Sequence, residues 1–506
     1  MGRRKKDARC IMHTNASKQV LIIGAGIAGI ATAIRLQVAG YQVKVIEKNS
    51  YPGGKLSSFK NGDFSFDAGP SLFTQPHFIE ELFDLAKEDI QLFFSYQKEP
   101  ITCTYFYEDG TVIKAYSDKK KLAAELYEKT GEPVTNINRF LQSTDKLYNS
   151  IGSFFLQHSL HKFKTLLKKD IVAALAAFRS RFIFQSMNSF HEESFKSPKL
   201  VQLFNRYATY NGSNPYKAPS MLSMIPHLEF NIGTFYPKGG MISITNALVS
   251  LAEKKGVKFV YNQQVDEIFI KDKKVSGALV GGQKIDADII VSNMDAYFTY
   301  KYLLKDNDKA KKILKQERSS SAVIFYWGLN KSFPQLGLHN IFFSNDYQKE
   351  FDHLFNSKQV FDDPTIYINI TAKPEPGLHA PVGMENWFVM VNAPAHTSQV
   401  WGEQMHIYRE NIIKKLNRML GENIKPHIVC ENILTPAEIE HKTASYAGSL
   451  YGTSSNSKMA AFLRHPNFSS KIKNLFFVGG SVHPGGGIPL CLQSAKITAS
   501  IIANHE

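Results

Sequence analysis

Cysteine and tryptophan are scarce in this chain of 506 residues, which has four of the former and three of the latter. The cysteines Cys10, Cys103, Cys430 and Cys491 are scattered along the chain. They show neither the close pairs of a zinc site nor the regular spacing of a disulfide framework. We therefore predict no metal site and a reducing, cytoplasmic setting.

Long hydrophobic runs are absent as well. A helix that crosses a bilayer needs roughly 20 apolar residues, and the nearest candidate, residues 171–178, is far shorter. Residues 1–18 begin with a basic cluster and contain no apolar core of a secretory signal. We expect this basic tip to be disordered and the chain to contain no membrane-spanning helix.

Acidic residues are the minority charge. The 45 Asp and Glu residues stand against 60 Lys and Arg, which gives a net charge of +15 and a pI near 9.3. A basic surface attracts nucleic acids or anionic lipid headgroups. No zinc finger, basic region with heptads or ribonucleoprotein motif is present. We therefore predict no nucleic-acid partner.

Residues 150–195 combine large apolar and basic residues at helical spacing, as in Phe163, Lys164, Leu167 and Lys168. Helices of this composition bind the interface of a membrane. We predict a helical membrane-docking region here, which would hold the protein peripherally on the inner membrane surface. The alternative is a pair of helices in a substrate domain whose charges simply face water.

The most informative segment that is present lies near the N-terminus. An apolar run at residues 20–23 leads into a glycine-rich turn and a helical pattern, and a second apolar run ends at Glu47. In such a strand–turn–helix unit the glycines allow the tight turn and a close backbone approach to a pyrophosphate, and the acid accepts hydrogen bonds from a ribose. The predicted dinucleotide contacts are Gly24, Gly26, Ile27, Ala28, Gly29, Glu47 and Lys48.

The continuation of this segment favours a flavin over a nicotinamide. Gly53-Gly54-Lys55 follows Glu47 directly, where a nicotinamide dehydrogenase would usually start another strand and helix. Two glycines let a second backbone stretch approach the ribose and pyrophosphate, and Lys55 offers a positive charge. We add Gly53, Gly54, Lys55 and the later Gly69, Pro70 and Ser71 to the predicted cofactor site.

A second strand–loop–helix unit closes the chain. An apolar strand at residues 475–478 precedes a glycine pair and a run of three glycines, and a helix follows through about Ile502. The positive end of that helix can stabilise a reduced, anionic flavin. Pro489 suits a first helical position. The predicted flavin contacts in this segment are Gly479, Gly480, Gly487, Ile488 and Pro489.

These motifs resemble those of the bacterial phytoene desaturase-type carotenoid desaturases, within the flavin amine oxidase superfamily. The resemblance includes residues 233–241, 464–466 and above all 483–489, which reads His-Pro-Gly-Gly-Gly-Ile-Pro. Residues 67–74 are closest to the hydroxycarotenoid 3,4-desaturase branch. The resemblance implies an FAD cofactor and cofactor contacts from Val265, at the adenine, and from Asn293.

The resemblance also implies the fold. We expect an α/β chain with a Rossmann-like FAD-binding domain built from residues 19–98, 233–298 and 468–506. Residues 99–232 and 299–467 would form a mixed sheet-plus-helix substrate domain, which includes the helical membrane-associating region. The length of the chain and its hydrophobic fraction of 43% fit two or three folded domains.

The implied reaction is FAD-dependent desaturation of an acyclic carotenoid, with 3,4-desaturation of a 1-hydroxycarotenoid favoured and oxygen or quinone as electron acceptor. Phytoene desaturase is an alternative within the family. Flavin-dependent carotenoid isomerase or retinoid saturase, and a non-enzymatic prenyl-binding escort protein, also stay open. Phe235 and Tyr236 are predicted to contact the polyene. The flavin itself is the expected reagent; His483 is the candidate catalytic side chain, and no acid–base pair can be assigned.

Overall fold

The computed structural model describes residues 18–152, 161, 181–395, 402–457, 460 and 464–504. Its strands are β1 (Gln19–Ile23), β2 (Gln42–Ile46), β3 (Ser58–Asn61), β4 (Phe64–Asp67), β5 (Tyr96–Lys98), β6 (Ile101–Phe106), β7 (Val112–Tyr116), β8 (Phe235–Pro237), β9 (Lys258–Val260), β10 (Val265–Lys271), β11 (Lys274–Val280), β12 (Gln283–Asp286), β13 (Ile289–Ser292), β14 (Ser321–Leu329), β15 (His339–Phe342), β16 (Ile366–Ile370), β17 (Glu385–Ala393), β18 (Ile428–Leu434) and β19 (Leu475–Phe477).

The α-helices connect these strands. They are α1 (Ile27–Val38), α2 (His77–Ala86), α3 (Lys119–Thr130), α4 (Val134–Leu147), α5 (Arg181–Phe184), α6 (Met187–Ser194), α7 (Pro198–Asn205), α8 (Ile242–Lys254), α9 (Ala296–Phe298), α10 (Asn307–Ile313), α11 (Tyr347–Asp352), α12 (Gly402–Leu420), α13 (Pro436–Thr443) and α14 (Ile488–Ala503). Within the described ranges, none of the helices is long and apolar enough to cross a membrane.

A parallel five-stranded sheet, in the order β19-β13-β1-β2-β9, forms the first layer. Its strands are apolar because both faces are covered, as in other parallel sheets. Helices α1, α8 and α14 share one hydrophobic core with the face of the sheet that carries Ile22 and Val45. The carboxyl ends of β1, β13 and β19 therefore lie side by side, which is where sheets of this kind bind their ligands.

Helix α8 begins where it does because a distant carboxylate caps it. Asp67, at the end of β4, accepts hydrogen bonds from the backbone N–H groups of Met241 at 2.9 Å and Ile242 at 3.2 Å. These N–H groups have no partner within the helix itself. Burial nevertheless raises the pKa of Asp67 to about 6. This contact joins the N-terminal and middle segments of the chain.

A seven-stranded mixed sheet, in the order β18-β14-β17-β16-β15-β6-β7, forms the second layer. β14 and β17 pair antiparallel over nine residues, from Ser321 with Ala393 to Leu329 with Glu385. Every residue of β14 is buried, because α12 packs on one face of this sheet. A separate helical layer, containing α3, α4, α6 and α7, packs over β6, β7 and β15.

The sequence predictions of local structure are confirmed in most places. The apolar runs at residues 20–23 and before Glu47 are β1 and β2, the helical pattern between them is α1, and the closing strand and helix are β19 and α14. The five strands of the parallel sheet come from the three segments assigned to the FAD-binding domain, although the domain boundaries themselves stay a prediction.

The predicted membrane-docking region, residues 150–195, lies largely outside the described residues, as does the basic tip. Of this region the structure describes α5 and α6 with their flanking residues. Met187 and Phe190 of α6 are buried against the helical layer. This half of α6 is therefore part of a protein core.

Candidate active site

A cavity of about 1420 Å³ connects the two layers. One end is bordered by the glycine turn after β1, the segment 53–55 and the loop 479–489. The other end is bordered by residues of the four strands β14 to β17 and by residues of the helical layer, such as Leu222 and Ile225. The cavity thus joins the predicted cofactor site to a predominantly apolar space.

The glycine turn is closed tightly on its inner side. Gly24 has φ +95°, which favours glycine. A Cβ at Gly29 would stand 2.3 Å from the Gly24 carbonyl oxygen, and one at Gly26 would stand 2.6 Å from Asn293 Nδ2. Gly29 is therefore needed for helix–strand packing, as predicted, and Asn293 packs directly on the turn. The N-terminus of α1 has no side-chain cap, so its N–H groups remain available to an anion.

Glu47 lies at the end of β2 and is buried. Its Oε2 accepts a hydrogen bond from the Ala25 N–H at 2.7 Å and its Oε1 one from the Asn49 N–H at 2.9 Å. A carboxylate has further lone pairs, so the group can also accept bonds from a ribose. The Gly53 N–H donates to the Ala25 carbonyl at 2.8 Å, which places Gly53-Gly54 against the glycine turn, as its φ values of +98° and +60° permit.

The two predicted lysines border the cavity, but their ammonium groups bind the segment 441–450. Lys48 Nζ donates to the His441 carbonyl at 2.7 Å. Lys55 Nζ donates to the carbonyls of Ser449 at 3.1 Å and Leu450 at 2.9 Å. Burial lowers the pKa of Lys55 to about 8, partly offset by Asp295. Lys55, predicted to offer a positive charge to the cofactor, thus also fixes the segment 441–450.

The strand after β9 supplies the far side of the cofactor end. Residues 263–266 line the cavity, with Val265 as the first residue of β10. The Gln263 N–H donates to the Glu47 carbonyl at 3.0 Å. Val265 is therefore held close to Glu47.

The loop Gly69-Pro70-Ser71 passes from this end towards the apolar space. A Cβ at Gly69 would stand 2.1 Å from the Lys55 carbonyl oxygen. Ser71 Oγ lies 2.8 Å from Tyr367 Oη, on the seven-stranded sheet. Gly69 and Pro70 lie beside the segment 53–55, whereas the Ser71 hydroxyl is hydrogen-bonded to Tyr367 of the sheet.

The loop 479–489 ends in a helix whose first turn faces the cavity. Gly479 and Gly487 both have φ +103°, and Gly487 precedes α14 without a side-chain cap. The helix starts at Ile488, so Pro489 occupies the second helical position instead of the predicted first. Gly479, Gly480, Gly487, Ile488 and Pro489 all line the cavity.

His483, the candidate catalytic side chain, does not line the cavity. Its side chain is fully buried, and its ring lies edge-on to His161 with 5.8 Å between centroids. Its carbonyl accepts a hydrogen bond from Asn467 Nδ2 at 2.9 Å. It packs behind the loop, and its catalytic role stays a prediction.

Phe235 and Tyr236 are likewise placed away from the cavity. Phe235 packs on Phe73 and Tyr96. Tyr236 Oη donates to Glu375 Oε2 at 2.6 Å. Both residues lie in β8, which pairs with β5, and this pairing directs their rings into the protein. The polyene contacts at these positions stay a prediction.

The structure brings a buried cation, Arg464, to the cavity. No role had been predicted for this residue from the sequence. Arg464 borders the cavity, and its Nη1 donates to the Tyr451 carbonyl at 3.0 Å. Burial and the neighbouring Arg318 lower the pKa of Arg464 to about 10. The motif Arg464-His465-Pro466 was visible in the sequence, but only the fold brings the guanidinium beside the loop 479–489.

Comparisons with known proteins extend over almost the whole chain. The family described as "Flavin containing amine oxidoreductase" matches residues 27–503. A 1-hydroxycarotenoid 3,4-desaturase of Flavobacterium sp. (strain P99-3) is 50% identical over 487 residues, which are 96% of this chain and 99% of that protein. A 4,4'-diapolycopene oxygenase of Methylomonas sp is 34% identical over 490 residues, 96% of this chain and 98% of that protein.

Among solved structures, an oxidoreductase from Methanosarcina mazei has the same fold. It aligns with a TM-score of 0.61 over 96% of this chain and 99% of that chain, at 15% sequence identity. This likeness confirms the architecture of a parallel sheet joined to a mixed sheet and a helical layer.

Proposed function

This chain belongs to the flavin-containing amine oxidoreductase family, and from that premise we propose that it introduces the 3,4 double bond into a 1-hydroxylated acyclic carotenoid. The protein is an FAD-dependent oxidoreductase. Its 50% identity with the Flavobacterium desaturase, over nearly the full length of both chains, supports the substrate class. The structural observation that carries the proposal is the single cavity that runs from the glycine-lined end to the apolar end.

The residues of the cofactor end fit FAD. The glycine turn leaves the first N–H groups of α1 open to a diphosphate, with Gly26, Ile27 and Ala28 at the cavity wall. Glu47 would accept hydrogen bonds from the adenosine ribose, and the backbone at Val265 would border the adenine. Gly53, Gly54, Gly69 and Pro70, and the five predicted contacts of the loop 479–489, would surround the remainder of the cofactor.

FAD, when bound, supplies a hydride acceptor for the oxidation of a carbon–carbon single bond. The chain has to hold the polyene against that acceptor and to exclude water, because a hydrocarbon offers few polar handles. Leu222, Ile225 and Ile324 give the wall of the channel its apolar character. Arg464 and the N-terminus of α14 place positive charge at the cofactor end, which favours negative charge there.

We further propose peripheral attachment to an anionic membrane, since the substrate dissolves in lipid and the chain carries a charge of +15. The attachment would use residues 150–195, with oxygen or a quinone as the final electron acceptor. Changing Lys162, Lys164, Lys168 and Lys169 together to Glu should abolish sedimentation with anionic liposomes. Unchanged sedimentation would contradict the attachment site.

The reaction itself is tested by the mass of the product. FAD-loaded protein is incubated with a 1-hydroxylated acyclic carotenoid, and the product is analysed by mass spectrometry and absorption. A desaturase removes two hydrogen atoms and lengthens the conjugated system. An unchanged mass would indicate an isomerase, a gain of two hydrogens a saturase, and tight binding without any conversion an escort protein.

A further inference from the structure

Two groups of buried polar side chains interrupt the apolar end of the cavity. The first is an ion pair between Arg206 and Glu229, whose Nη2 and Oε2 atoms are 3.0 Å apart. Tyr207 Oη donates to Glu229 at 2.6 Å, Tyr210 Oη also donates to Glu229, and Arg206 donates to Tyr105 Oη at 2.6 Å. This group satisfies its own hydrogen-bonding capacity, so it does not require a ligand.

The second group centres on His339, the first residue of β15, and it is not satisfied in this way. His339 lines the cavity and is only 4% exposed. Its Nδ1 atom is within hydrogen-bonding distance of neighbouring side chains, but its Nε2 atom has no hydrogen-bond partner among the described residues. A buried polar atom without a partner is uncommon in folded proteins and often marks a functional position.

The protonation of this imidazole follows from its neighbour across the strands. Asn369, opposite on β16, donates from Nδ2 to His339 Nδ1 at 3.2 Å and to the Leu338 carbonyl at 3.2 Å. An amide nitrogen can only donate, so Nδ1 is an acceptor. Burial and the Arg206 cation lower the pKa of His339 to about 3, which leaves the ring neutral. From this contact we assign the single proton to Nε2, which makes it an N–H donor without an acceptor among the described residues.

His339 is connected to the cofactor end of the channel. Tyr367 Oη lies 2.8 Å from His339 Nδ1 and 2.8 Å from Ser71 Oγ. Ser71 follows Gly69-Pro70, which packs on Lys55 of the flavin segment. In a 1-hydroxycarotenoid that is desaturated between C3 and C4, the hydroxyl-bearing carbon is two bonds from the nearer reacting carbon. A group that recognises this hydroxyl must lie towards the cofactor end, and the contacts through Tyr367 and Ser71 lead from His339 in that direction.

We propose that His339 recognises the hydroxyl group of the substrate, by donating a hydrogen bond from Nε2 to the hydroxyl oxygen, and so selects the hydroxylated end of the carotenoid. This inference rests on the proposed function. His339 acts here as a specificity residue and not as a base, because its Nε2 already carries a proton. The Asn369 and Tyr367 contacts hold the ring in this orientation.

The inference is tested by binding, without turnover. The flavin of the holoenzyme is first reduced with dithionite, so that it cannot oxidise the ligand. Detergent-dispersed carotenoids of equal polyene length, with and without a 1-hydroxyl group, are then titrated while protein fluorescence is followed. We expect the wild type to bind the hydroxylated compound about 10- to 100-fold more tightly. His339→Leu should lose most of this preference without weakening the binding of the other compound, and His339→Gln, which keeps a donor, should restore part of it.

Tyr408→Phe is the matched control. Tyr408 is also buried, and its hydroxyl also lacks a partner among the described residues, but it lies in α12 away from the cavity. The control should keep the wild-type preference. An unchanged preference in His339→Leu, or an equal loss in Tyr408→Phe, would overturn the role of His339. Failure of the oxidised wild type to desaturate the hydroxylated carotenoid would instead contradict the proposed function.

Discussion

The packing of Gly29 against the glycine turn gives the sharpest prediction about the cofactor. In Gly29→Ala the new methyl group would stand 2.3 Å from the Gly24 carbonyl oxygen, whereas such contacts are at least 3.0 Å in real structures. Helix α1 must therefore move by at least about 0.7 Å away from the end of β1. The atoms that have to yield are backbone atoms, so no side chain can absorb the movement.

This movement displaces the N–H groups that would bind the diphosphate. Each hydrogen bond to a charged group contributes about 1.5–3 kcal/mol, so weakening two of them should cost about 3 kcal/mol. FAD should then bind about 100-fold more weakly. The higher helix propensity of alanine, about 1 kcal/mol, offsets part of the strain in the apoprotein and allows the variant to fold.

The assay titrates apoprotein with FAD and follows the quenching of flavin fluorescence, with circular dichroism to verify the fold. Gly337→Ala is the matched control, because its nearest neighbour would be Thr104 Oγ1 at an ordinary 3.8 Å. The control should bind FAD like the wild type. Wild-type affinity in a folded Gly29→Ala protein would refute the placement of FAD on this turn.

Two further predictions concern the neighbours of the site. The pKa of Lys55 is lowered from 10.5 to about 8 in the folded apoprotein. Between these pH values the unfolded chain therefore binds more protons than the folded protein. The free energy of unfolding should rise as the pH increases from about 8 to 10.5. Lys55→Met should remove this rise, which amounts to about 3 kcal/mol for a pKa lowered from 10.5 to about 8, and an identical pH dependence of urea unfolding in both proteins would argue against a buried charge. Tyr236→Phe removes the bond to Glu375 and should lower the free energy of unfolding by about 1 kcal/mol with kcat/KM for the carotenoid unchanged; a selective rise in KM would return Tyr236 to the substrate channel.

The cofactor end could be predicted from the sequence because its determinants are local. Gly24, Gly29 and Glu47 act through the turn, helix and strand that surround them in the chain, and the spacing of such units is recorded directly in the sequence. The same holds for the loop 479–489, whose glycines precede a helix. The structure places these segments side by side at one cavity.

The substrate end could not be predicted in this way, because the direction of each side chain depends on distant pairings. Tyr236 points away from the cavity because β8 pairs with β5. The His483 side chain is buried because of the way in which the loop 479–489 packs. His339 was not identified because its environment is assembled from Ser71, Asn369 and Arg206, which are far apart in the chain. The hydrogen-bond requirement of a buried imidazole becomes visible only after folding.

The central claim is that this flavoprotein removes two hydrogen atoms from a 1-hydroxylated carotenoid. It is tested most directly by an anaerobic single turnover, in which the bleaching of the flavin absorbance is followed together with the mass of the extracted carotenoid. We expect one equivalent of product for each flavin reduced, and this product should be lighter by two hydrogen atoms and absorb at longer wavelength. An oxidised flavin beside a carotenoid of unchanged mass would contradict it.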